Sequence, residues 1–243
     1  LNFVDQIDGC LLIKGAADLG VSLTKNEALL YQKYFDLLLE WNNKVNLTAI
    51  TEPDEVVVKH FLDSLVLLQF VPLKPGCSLL DVGTGAGFPG IPLKIAAPDV
   101  NVVLLDSLNK RVSFLNYLIN ELKLKSISAL HGRAEDFGHD EKYRAGFDIV
   151  VSRAVAKLAV LAELCLPFVR KGGLFVAYKG PKAEDELREA ENALTLLGGQ
   201  VDKLMRVELP GTSDDRYLTF IKKVGETPGK YPRKAGIPEK RPL

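Results

Sequence analysis

The sequence predicts an α/β protein with a seven-stranded, mostly parallel sheet whose last strand is antiparallel. A helical extension precedes it. Three observations carry this. Leu79–Val82 has the character of a buried strand end and runs straight into Gly83-Thr84-Gly85-Ala86-Gly87-Phe88-Pro89-Gly90. From Ser78 onward, short apolar segments alternate with helix-period segments, the signature of strands joined by crossover helices and buried on both faces. Ahead of Ser78 the only clear period is helical.

The elements follow in chain order. Residues 1–20 predict one short helix. Thr24-Lys25-Asn26-Glu27 is a capping box that opens a helix with Leu30, Tyr31, Tyr34, Phe35, Leu38 and Trp41 on one apolar stripe. Asn42-Asn43 is expected to end it. Pro53 starts another helix through Val57, Phe61, Leu65 and Leu68, and Pro72 and Pro75-Gly76 mark a boundary. Residues 1–72 are therefore expected to form a helical extension too small for its own core. The expected strands are Ser78–Val82, Asn101–Asp106, Ile127–Leu130, Phe147–Val151, Gly173–Tyr178, Gln200–Glu208 and Tyr217–Lys223. The expected helices between them are Gly90–Ala97, Asn109–Leu122, Lys157–Val169 and Ala183–Leu197, the last stopped by Gly198-Gly199. Only Pro210–Asp215 links the last two strands, which permits an antiparallel pair and no crossover. Five parallel strands followed by such a pair form the Rossmann-like layout of class I methyltransferases. Residues 73–224 are assigned to that domain and 225–243 to a tail.

Composition narrows the setting. The 243 residues are 47% hydrophobic and 26% charged, with 31 Lys and Arg against 31 Asp and Glu, so bulk charge announces no nucleic acid. The tail departs from this balance: from Lys222 onward seven basic residues face Glu226 and Glu239. Cys10, Cys77 and Cys165 have neither metal-site nor disulfide spacing, and Asp5 and Asp8 sit where a signal peptide would be basic. No metal, no membrane partner and a cytoplasmic location are expected.

A strand entering a Gly-x-Gly-x-Gly loop lets a ligand lie against bare backbone. Gly83, Gly85 and Gly87 supply that loop. Gly85-Ala86-Gly87-Phe88-Pro89-Gly90 also fits the weak dinucleotide pattern Gly-x-Gly-x-x-Gly, which keeps a nicotinamide-dependent oxidoreductase as an alternative. Asp81, at the end of the first strand, suits instead the amino and sulfonium groups of S-adenosylmethionine. Asp106 closes the second strand, where a carboxylate can accept two ribose hydroxyls in either cofactor class. Ala134 and Glu135 follow the third strand, at an adenine edge. Arg153 ends the fourth, where its fork can hold a cofactor carboxylate or an RNA phosphate.

With those residues placed, the chain resembles the RsmG (GidB) family of bacterial small-subunit ribosomal RNA methyltransferases. The resemblance rests on Asp81–Gly90, Asp106-Ser107-Leu108-Asn109-Lys110-Arg111 and Ser152-Arg153-Ala154-Val155-Ala156. It extends to Glu40-Trp41-Asn42 with Val45-Asn46-Leu47-Thr48, Lys59-His60-Phe61 with Asp63-Ser64, and Tyr231-Pro232-Arg233-Lys234. It implies methyl transfer from S-adenosylmethionine to N7 of one guanine in 16S ribosomal RNA near the decoding centre. It places cofactor contacts on Gly83, Phe88, Asp106, Ser107, Leu108, Ala134, Glu135 and Arg153. The partner implied is 16S ribosomal RNA, the small subunit or its assembly intermediate. Guanine N7 has a lone pair and no proton, so no general base is expected, and none of His60, His131 and His139 has acid–base or zinc spacing. Candidates for holding RNA are Lys59, His60, Arg111, Arg153, Lys179, Arg233 and Lys234; Lys110 and Lys182 have the character of solvated charges. A non-catalytic RNA-binding or ribosome-assembly module is the other alternative.

Overall fold

The structure is a computed structural model that describes residues 6–153, 156–210, 212 and 215–243. Ala154 and Val155, and part of the link at 210–215, lie outside the described residues. The seven strands are β1 (Ser78–Val82), β2 (Asn101–Asp106), β3 (Ile127–His131), β4 (Phe147–Arg153), β5 (Val169–Lys179), β6 (Gly199–Val207) and β7 (Arg216–Lys223). They form one sheet in the order β3-β2-β1-β4-β5-β7-β6. β1 to β5 pair in parallel, and β7 is inserted antiparallel between β5 and β6. Strand order reverses between β1 and β4, which opens a crevice at their carboxyl ends.

The helices are α1 (Gly9–Asp18), α2 (Lys25–Val45), α3 (residues 53–69), α4 (Gly90–Ala96), α5 (Asn109–Glu121), α6 (Ala134–Phe137), α7 (Leu158–Cys165), α8 (Ala183–Glu189), α9 (Glu191–Leu196) and α10 (Ile237–Lys240). The capping box is formed: Thr24 Oγ1 accepts Glu27 N at 3.2 Å, and Glu27 accepts Thr24 N at 2.6 Å. α2 runs past Asn42-Asn43 to Val45. Asn42 does not stop the helix; its side chain turns back to accept Leu47 N and Thr48 N, while Asn46 takes the left-handed exit at φ 51°. α7 is shorter than expected, because Pro167 falls in a 3₁₀ turn, Leu166–Phe168, and β5 begins directly after it. The single helix expected over 183–197 is two, broken at Ala190, so that α9 reaches β6 as well as α7.

Two apolar layers sandwich the sheet. One joins Leu12, Tyr31, Phe35 and Phe61 of the N-terminal helices to Ile91, Leu104 and Phe114. The other joins Val150 and Phe175 to Leu161 of α7, Leu194 of α9 and Tyr231 of the tail. Tyrosine hydroxyls stitch the first layer: Tyr31 donates to Pro92 O at 2.9 Å, Tyr34 to Ala86 O at 2.5 Å, and Tyr178 to Ser64 O at 2.9 Å. Among the described residues, no helix is long and apolar enough to cross a membrane.

Candidate active site

The glycine loop leaves β1 over the end of β2, with Gly83 N and Thr84 N donating to Leu105 O at 2.8 and 3.2 Å. Two glycines explain themselves. Gly85 has φ +61° and faces open space, so the backbone there stays both left-handed and bare. A Cβ on Gly90 would stand 2.3 Å from Leu104 Cδ2 and 2.9 Å from Asp81 Oδ2, so only glycine lets α4 start this close to the sheet.

Three acids organise the crevice. Asp81 lies beneath the loop, fully buried, where Oδ2 accepts Thr84 Oγ1 at 2.7 Å and Gly90 N at 2.8 Å. Its Oδ1 is buried with no hydrogen-bond partner among the described residues. Burial pushes the carboxyl up to about 6, against the opposing pull of those two donors and of Arg153. Asp106 takes Gly85 N and Leu108 N, each at 2.9 Å, on its two oxygens, with Arg111 Nη1 3.5 Å away. Glu135 accepts Gly236 N at 3.1 Å, so the tail arches over the end of β3.

Three hollows join along the carboxyl ends of the strands. The first, about 230 Å³, includes Gly83, Asp106, Ser107, Ala134, Glu135 and Pro238. The second, about 500 Å³, shares Gly83, Asp106 and Ser107 with it and adds Gly85, Phe88 and Leu108, the last 51% exposed beside the opening. The third, about 440 Å³, shares His60 and Arg153 with the second and continues over β5 and β7. Nine of the eleven residues expected at the cofactor line the first two hollows; Gly87 lies in the loop between them and Asp81 beneath it, and neither lines a hollow. Gly87 packs against Tyr34 rather than facing the opening.

The junction of the second and third hollows is built by α3. Residues Val57–Leu62 form a π-helical turn, a geometry that widens the helix and occurs often at functional sites. It buries Val57, Val58, Phe61 and Leu62 and leaves Lys59, His60 and Asp63 along the third hollow. Arg153 Nη1 pairs with Asp63 Oδ2 at 2.7 Å and also reaches Lys59 O at 3.3 Å. Its guanidinium lies 4.9 Å from the Phe88 ring centroid. His60 stacks on the same ring at 4.5 Å, and its Nε2 meets Thr48 Oγ1 at 2.8 Å. Burial, then the Arg153 charge, lowers His60 to about 3, so its ring is neutral at physiological pH.

The remaining RNA candidates are separated by their partners. Lys59 pairs with Glu55 at 2.6 Å and stays partly exposed, as does Arg111. Lys179 is turned inward, 2.6 Å from Glu186 and 2.5 Å from Ala156 O, with 8% of its side chain exposed. Arg233 is also turned inward: its Nη2 lies 2.6 Å from Glu163 Oε2, and Glu163 Oε1 takes its backbone N at 2.7 Å. Lys234, next to it, is exposed. Asp63 follows Lys59-His60-Phe61 in the sequence, but nothing local marks Tyr34, Glu186 or Glu163 as site residues, and their partners are 52 residues distant for Tyr34 and 70 for Glu163.

A family profile described as rRNA small subunit methyltransferase G (GidB) matches residues 27–214. The chain belongs to this family. Ribosomal RNA small subunit methyltransferase G of Lachnoclostridium phytofermentans is 57% identical over 236 residues, covering 97% of this chain and 98% of that protein. Its counterpart in Desulforamulus reducens is 51% identical over 232 residues, covering 96% and 97%. Among solved structures, TrmN from Thermus thermophilus superposes with a TM-score of 0.53 at 18% identity, over 69% of this chain and 53% of that one. M. jannaschii TYW2 in complex with AdoMet gives 0.50 at 13% identity, over 63% and 72%. These two share the fold. As a member of the methyltransferase G family, the chain is an S-adenosylmethionine-dependent methyltransferase, and the oxidoreductase alternative falls. The cleft fits that cofactor: bare loop backbone at Gly83 and Gly85, and an acid, Asp106, at the junction of two hollows. Among the described residues, no group of His, Cys, Asp and Glu is arranged to hold a metal.

Proposed function

We propose that the chain methylates N7 of one guanine in 16S ribosomal RNA near the decoding centre, acting in the cytoplasm on the small subunit or its assembly intermediate. The observation that carries this is the continuous groove, in which a donor-side hollow and an acceptor-side hollow meet at His60 and Arg153. In this reading Glu135 and Ala134 flank the adenine, and Asp106 takes the ribose. Ser107 and Leu108 cover its face, while the Gly83–Gly87 loop and Phe88 support the methionine end. Asp81 holds the loop, and Arg153 sits where the cofactor carboxylate and the target meet. Residues 1–72 build the acceptor-side wall, 73–224 the cofactor domain and 225–243 the strap over the adenosine end.

When bound, S-adenosylmethionine supplies an electrophilic methyl group on a positively charged sulfur. Guanine N7 needs no base to attack it, because the lone pair lies in the ring plane and carries no proton. His60 agrees with that role-free chemistry, since a ring held neutral down to about 3 is a poor base. Its contribution is alignment, by stacking on Phe88 and bonding Thr48. The methylated base gains positive charge; along the acceptor hollow Asp63 is already paired with Arg153 and Arg216, which leaves the Glu186 carboxylate to offset it. Lys59, Arg111 and Lys234 are left to meet phosphates.

The test is transfer of labelled methyl to small-subunit particles and to stripped 16S RNA, both from cells lacking the enzyme, with the modified base mapped. Label at one guanine N7, lost in Gly83→Asp, is the expected result. Cofactor binding without label on either substrate would sink the proposal and leave an RNA-binding module.

A further inference from the structure

The third hollow holds an acid with one oxygen left over from its structural contacts and an aromatic ring beside it, and their chemistry suits one nucleobase. We propose that Glu186 and Tyr217 form the pocket that selects guanine: Glu186 accepts from the base's Watson–Crick edge while Tyr217 stacks on its face. This rests on the methyl-transfer reading above and names how its substrate is chosen.

Glu186 Oε2 is occupied by Lys179 Nζ at 2.6 Å and by Leu158 N at 2.8 Å. Its Oε1 has no partner among the described residues, and the side chain is 20% exposed into the hollow. The lysine and the Leu158 amide therefore fix the carboxylate in place, with one acceptor to spare. Asp63, the other acid lining the hollow, has no such surplus: Arg153 takes Oδ2 at 2.7 Å, and Arg216 Nε lies 3.4 Å from Oδ1. Tyr217 lines the same hollow half-buried, and neither its ring nor its hydroxyl has a partner among the described residues. Its neighbour Tyr178 is spoken for, since its hydroxyl bonds Ser64 O. Aromatic rings without internal partners are the platforms on which unstacked bases rest.

The edge chemistry discriminates. Guanine presents two donors, N1–H and the 2-amino group, on the edge opposite N7, and adenine presents an acceptor at N1. A carboxylate welcomes the first and repels the second. A guanine held by that edge at Glu186 directs N7 away from it. His60 and Arg153 line the same hollow where it joins the cofactor's side. One carboxylate thus selects the base and sets which nitrogen is presented.

The experiment uses small-subunit particles reconstituted with 16S RNA carrying guanosine or inosine at the mapped position. Inosine keeps N7 and N1–H but lacks the 2-amino group. Wild-type kcat/KM is expected to fall on the order of tenfold with inosine, the size of a hydrogen bond to a charged group. In Glu186→Gln, whose amide can still serve Leu158 N, kcat/KM on guanosine falls and the guanosine-to-inosine ratio approaches one. Tyr217→Ala loses on the order of tenfold, and Tyr217→Phe recovers most of it. Calorimetric binding of S-adenosylmethionine should be unchanged in all three variants, which also shows that they are folded. A wild-type ratio in Glu186→Gln, or full activity in Tyr217→Ala, overturns the pocket and leaves the methyl-transfer reading standing. No label from the wild-type protein on guanosine overturns both.

Discussion

At the scale of single residues, the site is paid for in buried charge. Asp81 sits at about 6, above the ordinary 3.8. Between those values the folded chain keeps a proton that the unfolded chain has released, so stability falls as pH rises through this window and the full cost is present at pH 7. Asp81→Asn is expected to raise the stability of the free protein at pH 7 by on the order of 1–3 kcal/mol, with the gain gone near pH 4. Melting curves at both pH values test this. Calorimetry should show weaker cofactor binding in the same variant, because Asp81 holds Thr84 and Gly90 of the glycine loop. His60 has the opposite sign. Its value is lowered from 6.5 to about 3, so the unfolded chain holds the extra proton in between, and stability is lost as pH falls below 6.5. His60→Phe should flatten the stability profile from pH 6.5 down to 4, measured by urea unfolding. Asp81 and Asp106 were legible as acids at the carboxyl ends of two strands, but the placement of Asp81 beneath the loop, outside both hollows, was not, because only the packing of the loop over β1 buries it. The inward turn of Lys179 was not legible either, because Glu186 lies one element away and a lysine carries no mark of its partner.

At the scale of elements, α2 acts on the glycine loop through one hydroxyl. Tyr34 donates to Ala86 O while its ring stacks on Phe88 at 5.3 Å. Tyr34→Phe keeps the ring and leaves a buried carbonyl unsatisfied, so it should cost about 1–2 kcal/mol by denaturant unfolding and weaken cofactor binding as the loop loosens. Tyr34→Phe with wild-type stability would mean that the loop stands without the helix. The capping box and apolar stripe of α2 were plain in the sequence, since both are set by residues three and four apart. The π turn in α3 was not: Val57–Leu62 carries no local departure from helical composition, and its widened geometry depends on what its neighbours accept. The break at Ala190 is of the same kind, a response to β6 rather than to a glycine or proline.

At the scale of the molecule, the tail is a strap. Glu163, 1% exposed in α7, is neutralised by Arg233, and Arg144 donates to Tyr231 O at 2.9 Å and Thr227 O at 2.7 Å. Arg233→Ala would strand a buried carboxylate, a change that costs about 3–5 kcal/mol, read as a lowered denaturation midpoint. Its exposed neighbour offers the contrast. Lys234→Ala should leave stability within about 0.5 kcal/mol and reduce the salt slope of RNA binding by about one. Equal effects from the two would show that the tail is not pinned as described. The helical extension is bound as closely, since Tyr31, Phe35 and Phe61 share one apolar layer with Leu104 of the sheet. We expect residues 1–72 expressed alone to show no cooperative melt.

The seven strands, the parallel sense of the first five, the antiparallel last strand, the glycine loop and the acids that follow three strands were all legible in the sequence. All of these depend on periodicity, on turn residues, or on motifs a few positions long. Tertiary structure alone decided which charges are free. Arg233 and Lys179 are as basic in sequence as Lys234 and Lys59, and only the fold brings Glu163 and Glu186 against the first two. It also decided that the cofactor cleft opens into a second hollow, because His60 and Arg153 lie 93 residues apart and meet only where α3 crosses the end of β4. Local chemistry writes the elements; pairing across the chain assigns each charge to the core or to a partner.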